Sequence, residues 1–119
     1  MANLSDLKKF ALRLPETSEG THFRLPVFKV LEKPFVVIQK DNTHSFILLD
    51  KPNVIRLRNE NPDIFEEVWQ SKKYLIGLKI NIDKVSTKQL QQMVELAWRN
   101  KAPKKLVKEF ENDNSLHAK

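Results

Sequence analysis

The sequence predicts an α+β fold. It is a two-layer sandwich in which an antiparallel sheet of about five strands carries helices packed mainly on one face, in the order α-βββ-α-ββ-α-α. Three observations carry this expectation. Apolar residues recur at helical spacing near both ends of the chain, in Leu4–Leu14 and Leu90–Trp98. Between them lie short β-branched runs joined by connections too brief for the crossovers that parallel strands need. One run, Tyr74–Ile82, places Ile76, Leu78, Ile80 and Ile82 on one face, the pattern of a half-buried strand.

The first helix spans Leu4 to Leu14, with Leu4, Leu7, Phe10, Ala11 and Leu14 in one stripe. Asn3 or Ser5 suits its cap, and Pro15 stops it by disfavouring helix in the residue before it. Glu16–Thr21 reads as a polar loop, and His22-Phe23 as a short edge piece. Three strands follow: Val27–Leu31, Phe35–Gln39 and His44–Leu49, separated by Glu32-Lys33-Pro34 and Lys40-Asp41-Asn42. Asp50 caps a second helix that carries Pro52 in its first turn and ends at Asn61-Pro62. Ile64–Trp69 is readable as a strand or a helical turn, and Ser71-Lys72-Lys73 is a turn into Tyr74–Ile82. Gly77, on the opposite face from the isoleucines, leaves room for a close neighbour.

The third helix has the clearest local signature. Ser86 and Gln89 match a capping box, and Val85 and Leu90 match a hydrophobic staple. Leu90, Met93, Val94, Ala97 and Trp98 form its buried face. Ala102-Pro103 breaks it and opens a short last helix, docked by Leu106, Val107 and Phe110. Residues 1–111 are thus expected to form one domain, and 112–119 a flexible tail.

A chain of 119 residues can bury roughly two-thirds of its unfolded surface and fold alone. No apolar run reaches the length of a membrane helix, and Met1–Leu14 lacks the pattern of a signal peptide, so a cytoplasmic location is the expectation. Cysteine is absent, which removes disulfides, thiolate metal sites and thiol catalysis together. With only Gly20 and Gly77, the chain has no glycine-rich phosphate loop. His22, His44 and His117 are far apart and fall in no metal-binding spacing, and His44 reads as a surface or hydrogen-bonded group at a strand start. No serine sits in a nucleophile elbow, and Glu66-Glu67, being adjacent, point apart on a strand or lie about 100° apart on a helix, and read as a solvated turn. The expectation is a protein without catalytic residues, cofactor or metal.

The charge is where the sequence speaks of a partner. Net charge is +6, yet Lys72–Lys108 alone holds ten Lys and Arg against two acids, Asp83 and Glu95. From Glu95 to Glu109 the run contains Arg99, Lys101, Lys104, Lys105 and Lys108 with no acid between. Placed cations of this kind neutralise phosphates and gain affinity by counterion release, although lysines also serve plain solubility. Lys72, Lys73, Arg99, Lys101, Lys104 and Lys105 are therefore the expected DNA-phosphate contacts. The rings Phe28, Phe35, Phe46, Trp69 and Tyr74 read mostly as core.

Several strings in order carry a resemblance. Leu14-Pro15-Glu16-Thr17 follows Ala11-Leu12; then come HFRLPVFKV at 22–30 and K-x-F at Lys33–Phe35. Near the end stand Leu90, Met93, Ala97-Trp98-Arg99 and Ala102-Pro103. From Leu4 to Phe110 the chain resembles the YjbR/MmcQ family of small bacterial proteins. The resemblance implies a compact fold of the frataxin-like or secretion-chaperone-like kind with an antiparallel sheet. It also implies DNA binding through a double wing of β-hairpins, here near Glu32–Pro34 and Ser71–Lys73. No catalytic or ligand-contacting residue carries over with it. The first tip is charge-neutral at Glu32-Lys33, and Asp63–Gln70 is acidic. Iron binding of the frataxin kind would need clustered carboxylates, whereas helix one holds only Asp6 among Lys8, Lys9 and Arg13.

The leading functional expectation is thus sequence-indifferent, salt-dependent DNA binding. The competing class is a protein-interaction module, which requires an exposed apolar patch. A weaker third is a small-molecule binder, which requires a dry pocket between sheet and helices.

Overall fold

A computed structural model describes the backbone of residues 2–117 and the side chains of residues 2–112. The order is α1 (Leu4–Leu12), β1 (Thr17–His22), β2 (Leu25–Val30), β3 (Lys33–Ile38), β4 (His44–Leu48), α2 (Lys51–Glu60), β5 (Phe65–Gln70), β6 (Tyr74–Asn81), a 3₁₀ turn (Ile82–Lys84), α3 (Thr87–Lys101) and α4 (Lys104–His117). The six strands form one antiparallel sheet in the order β1-β2-β3-β4-β6-β5, with the helices on one face.

The main departure from expectation is β1. The polar stretch read as a loop is an edge strand, with Thr17 opposite Val30 and His22 opposite Leu25. Its residues alternate no apolar side chains because it has one neighbour and lies largely in water, so periodicity could not reveal it. The turn into β2, Phe23-Arg24, has both residues at positive φ (49° and 65°), a two-residue type I′ hairpin without the usual Asn-Gly. The β2–β3 turn, Leu31-Glu32, repeats this at 46° and 72°.

Caps fix the helix limits. Asn3 accepts from the Asp6 N–H at 2.9 Å, and the Asp6 carboxylate accepts from the Asn3 N–H at 3.1 Å, a full capping box. α1 stops at Leu12, two residues short of the expected Leu14, with Arg13 as its C-cap. Ser86 accepts from the Gln89 N–H at 3.0 Å, as its spacing implied. Asp50, expected to cap α2 with its side chain, instead accepts from Asn53 Nδ2 at 2.6 Å. α4 runs to His117, longer than the short helix expected.

The core lies between sheet and helices. α3 crosses β3 and β4, α1 packs on α3, and α2 covers β5 and β6. Phe35 is the extra residue of a bulge in β3, lying between the Phe28–Val36 and Lys29–Pro34 pairs. The bulge lets Phe35 and Val36 both be fully buried although they are adjacent. Gly77 faces away from the helices, against β4, where an added Cβ would lie 2.2 Å from the Ile47 carbonyl oxygen. Close approach of the two strands explains why glycine stands there.

Candidate nucleic-acid interface

The joint between α3 and α4 organises the basic run. Ala102 leaves the helix at ψ 147° while its N–H still reaches the Trp98 carbonyl at 2.8 Å. Pro103 then starts α4, whose first turn closes from the Val107 N–H to the Pro103 carbonyl at 3.1 Å. α4 therefore doubles back over α3, and the Phe110 ring meets Trp98 at 4.9 Å between centroids.

That return captures Arg99. Its guanidinium bonds Glu111 on α4, lies 3.5 Å from Glu95 one turn back on α3, and sits 5.5 Å above the Phe110 ring. Two carboxylates and a ring face already engage it. Arg99 thus differs from the other expected phosphate contacts. Lys101 is half-buried and Lys104 and Lys105 are exposed, and none of the three has an ion-pair partner among the described residues.

Lys72 and Lys73 are exposed at the β5–β6 tip, where the Lys73 N–H closes the turn on the Gln70 carbonyl at 3.2 Å. The strand register brings this tip to the end of the sheet where α3 finishes. Asn100 Nδ2 donates to the Leu48 carbonyl at 3.3 Å, and Leu48 pairs with Gly77, three residues from Tyr74 at the tip. The β2–β3 tip points from the same end, because β3 starts at Lys33 and Val36 lies opposite Ile47. There Glu32 is paired with Lys29 at 3.2 Å, and Lys33 is exposed with no ion-pair partner among the described residues.

The aromatic rings divide differently from the core reading. Phe28 and Phe35 are buried and Phe46 is half-buried, but Trp69 is 48% and Tyr74 64% exposed. Both exposed rings belong to the hairpin that carries Lys72 and Lys73. The missed signal was position: each flanks the turn on an edge hairpin, where one side chain in two has nothing to pack on. The acidic stretch lies on the edge strand β5, where Glu67 is 3.8 Å from Arg58 and accepts from Trp69 Nε1 at 3.4 Å.

His44 is hydrogen-bonded, its Nδ1 lying 2.7 Å from Asp41 Oδ2. Asp41 also accepts from the Thr43 and His44 N–H groups, both at 2.9 Å. Led by the His44 N–H, these bonds hold its carboxyl down from 3.8 to about 2. Among the described residues no three His, Cys, Asp or Glu gather as a metal site, and no helix is long and apolar enough to cross a membrane. His117 lies outside the residues whose side chains are described.

The other two expectations also meet geometry. Among the described residues, the large exposed apolar side chains other than Trp69 and Tyr74 are Leu12, Phe23, Leu31 and Ile55, each on a different helix or hairpin tip. The small-molecule reading requires a dry pocket between sheet and helices. A cavity of about 520 Å³ opens instead at the β5 edge and is lined mainly by polar groups.

The YjbR family model matches residues 12–100. The chain belongs to the YjbR family. Both stretches that meet at the α1–β1 and α3–α4 joints, Leu14-Pro15 and Ala97-Trp98-Arg99, fall inside this match. Among solved structures, the crystal structure of Deinococcus radiodurans protein DR2400, with a DUF419 domain, is similar at a TM-score of 0.69 and 22% identity. The likeness covers 92% of this YjbR chain and 88% of that one, and at this identity it speaks for the fold. None of the curated proteins matches the sequence.

Proposed function

We propose that this YjbR protein is a non-enzymatic DNA-binding module that holds phosphates with one end of its sheet. The observation that supports the reading is the Asn100–Leu48 hydrogen bond, which ties the end of α3, before Lys101, Lys104 and Lys105, to the end of the sheet that carries Lys72 and Lys73. Lysine ammonium groups without carboxylate partners are the groups that release counterions from a duplex. Tyr74 and Trp69 beside the tip add ring faces on which an unpaired base can stack. Arg99 is assigned a different part: it clasps α4 to α3 and so sets where Lys104 and Lys105 stand.

The test is fluorescence anisotropy of a labelled random duplex at about 50 and about 200 mM salt. Five phosphate contacts give a slope near −4.5 in log affinity against log salt, a loss of about a few hundredfold over that range. Absence of binding at the lower salt overturns the reading. A labelled single strand in the same series reads the contribution of the two rings.

A further inference from the structure

The cavity at the β5 edge has a built polarity that the DNA reading does not use. We propose that it is a binding site for a small hydroxylated phosphate ester, of the pentose phosphate class. The inference shares only Trp69 with the DNA reading, since His44, Asn81 and Lys84 lie toward the opposite end of the sheet from Lys72 and Lys73.

One wall offers donors. His44 and Asn81 are directly paired across β4 and β6, and Lys79 is two residues from Asn81, so all three share the helix-free face. Lys84 joins them from the 3₁₀ turn that follows. Part of their hydrogen-bonding capacity is already used. Asn81 Oδ1 accepts from the Asp83 N–H at 3.0 Å, which leaves its Nδ2 as a donor. His44 Nδ1 is held by Asp41 at 2.7 Å, which leaves Nε2 without a partner among the described residues. Neither Lys79 nor Lys84 has an ion-pair partner among the described residues, although Glu66 is opposite Lys79 in register. Two ammonium groups and an amide suit a phosphate monoester.

Acceptors line the cavity beside these donors, with Glu66 the cross-strand partner of Lys79. The exposed carboxylates of Asp63 and Glu66 line the cavity and disfavour a second negative charge, but they accept from hydroxyl groups. Trp69 on the rim supplies a flat apolar surface for a sugar or a base. A cavity of about 520 Å³ is within the range of small-molecule sites. Phosphate toward the lysines and hydroxyls toward the carboxylates satisfy both kinds of group at once.

The experiment is a two-dimensional amide NMR titration of the full chain with ribose 5-phosphate, a nucleoside 5′-monophosphate and inorganic phosphate. Lys79→Met and Lys84→Met are measured alongside, with a thermal melt of each. The expected result is saturable shifts at His44, Lys79, Asn81 and Lys84 with ribose 5-phosphate, and binding about tenfold weaker for inorganic phosphate. Each variant should weaken the ester by about tenfold with an unchanged melt. Equal affinity for the nucleotide and ribose 5-phosphate identifies the pentose phosphate as the recognised unit, and tighter nucleotide binding extends the contact to the base at Trp69. Three results overturn the proposal: no saturable shift, inorganic phosphate binding as tightly as the ester, or folded variants that bind like the native chain.

Discussion

The Trp98 indole Nε1–H donates to the carbonyl oxygen of Pro15 at 3.0 Å, joining residues 83 positions apart. Trp98 is completely buried, and Phe110 of α4 packs on its ring. One side chain therefore ties together the end of α1, the end of α3 and the returning α4. Trp98→Phe keeps most of the packing but leaves the Pro15 carbonyl without its partner, a cost of about 1–2 kcal/mol. Trp98→Ala also empties the centre of the core and should cost about 3–5 kcal/mol. Urea denaturation measures both, and a Trp98→Phe variant as stable as the native chain would show that the bond adds nothing.

The two glycines should respond in opposite ways to alanine. At Gly77 the new Cβ meets backbone, the Ile47 carbonyl, which can retreat only by parting β4 from β6. Gly77→Ala is expected to destabilise by about 2–3 kcal/mol. At Gly20 the nearest atom is Lys29 Cε at 2.9 Å, the far end of a flexible side chain that can swing away. Gly20→Ala should stay within about 0.5 kcal/mol. Thermal melts of both variants check the contrast, and equal losses would refute it.

The two type I′ turns carry bulky residues where the backbone favours Asn and Gly. Phe23 and Arg24 both occupy the left-handed region, and Phe23 is 85% exposed, so little packing rewards the conformation. Phe23→Asn with Arg24→Gly should raise stability by about 1 kcal/mol. Differential scanning calorimetry reads this as a higher Tm, and a lower Tm would mean that the tip makes contacts that stabilise it.

What the sequence made legible follows the apolar periodicity. α3 was readable from Ser86 to Trp98 because its cap, staple and buried stripe all agree on one face. β6 was readable because its isoleucines alternate. β1 was hidden because an edge strand of Thr, Ser, Glu and Gly buries too little to leave a pattern, and its type I′ turn lacks the Asn-Gly signal. At the candidate site, the lysines were legible as charge, but Arg99 looked the same as they did in sequence. Only the fold brings Glu111 and Phe110 over it, through a reversal at Pro103 whose direction the composition does not encode. The polarised cavity was equally invisible, since His44, Asp63 and Lys84 meet only when β4, β5 and β6 are paired.

Asp41 gives the fold an acid-sensitive point. Its carboxylate is stabilised in the folded chain by the His44 and Thr43 N–H groups and the His44 ring, and its pKa falls from 3.8 to about 2. A depressed folded pKa means stability that is present above 3.8 and lost as pH falls toward about 2. Asp41→Asn removes the titrating charge, so its Tm should fall less steeply than that of the native chain across this window. Thermal melts in steps of pH check it, and parallel acid limbs would assign the acid loss to other carboxylates.

Arg99 and its neighbouring lysines should separate into two phenotypes. Arg99→Gln breaks the clasp to Glu95 and Glu111 and removes the cation over Phe110, so it acts on stability. Because the guanidinium is 29% exposed, the expected loss is modest, about 1 kcal/mol. Its effect on the salt slope of duplex binding should be small. Lys101→Gln, Lys104→Gln and Lys105→Gln together should leave the melt nearly unchanged and lower the slope by about 0.9 for each lysine. Anisotropy against salt and urea denaturation, run on the native chain and these two variants, check the division. A triple variant with the native slope would remove the α3–α4 joint from the interface, and an Arg99→Gln variant that lowers the slope at native stability would return Arg99 to the phosphates.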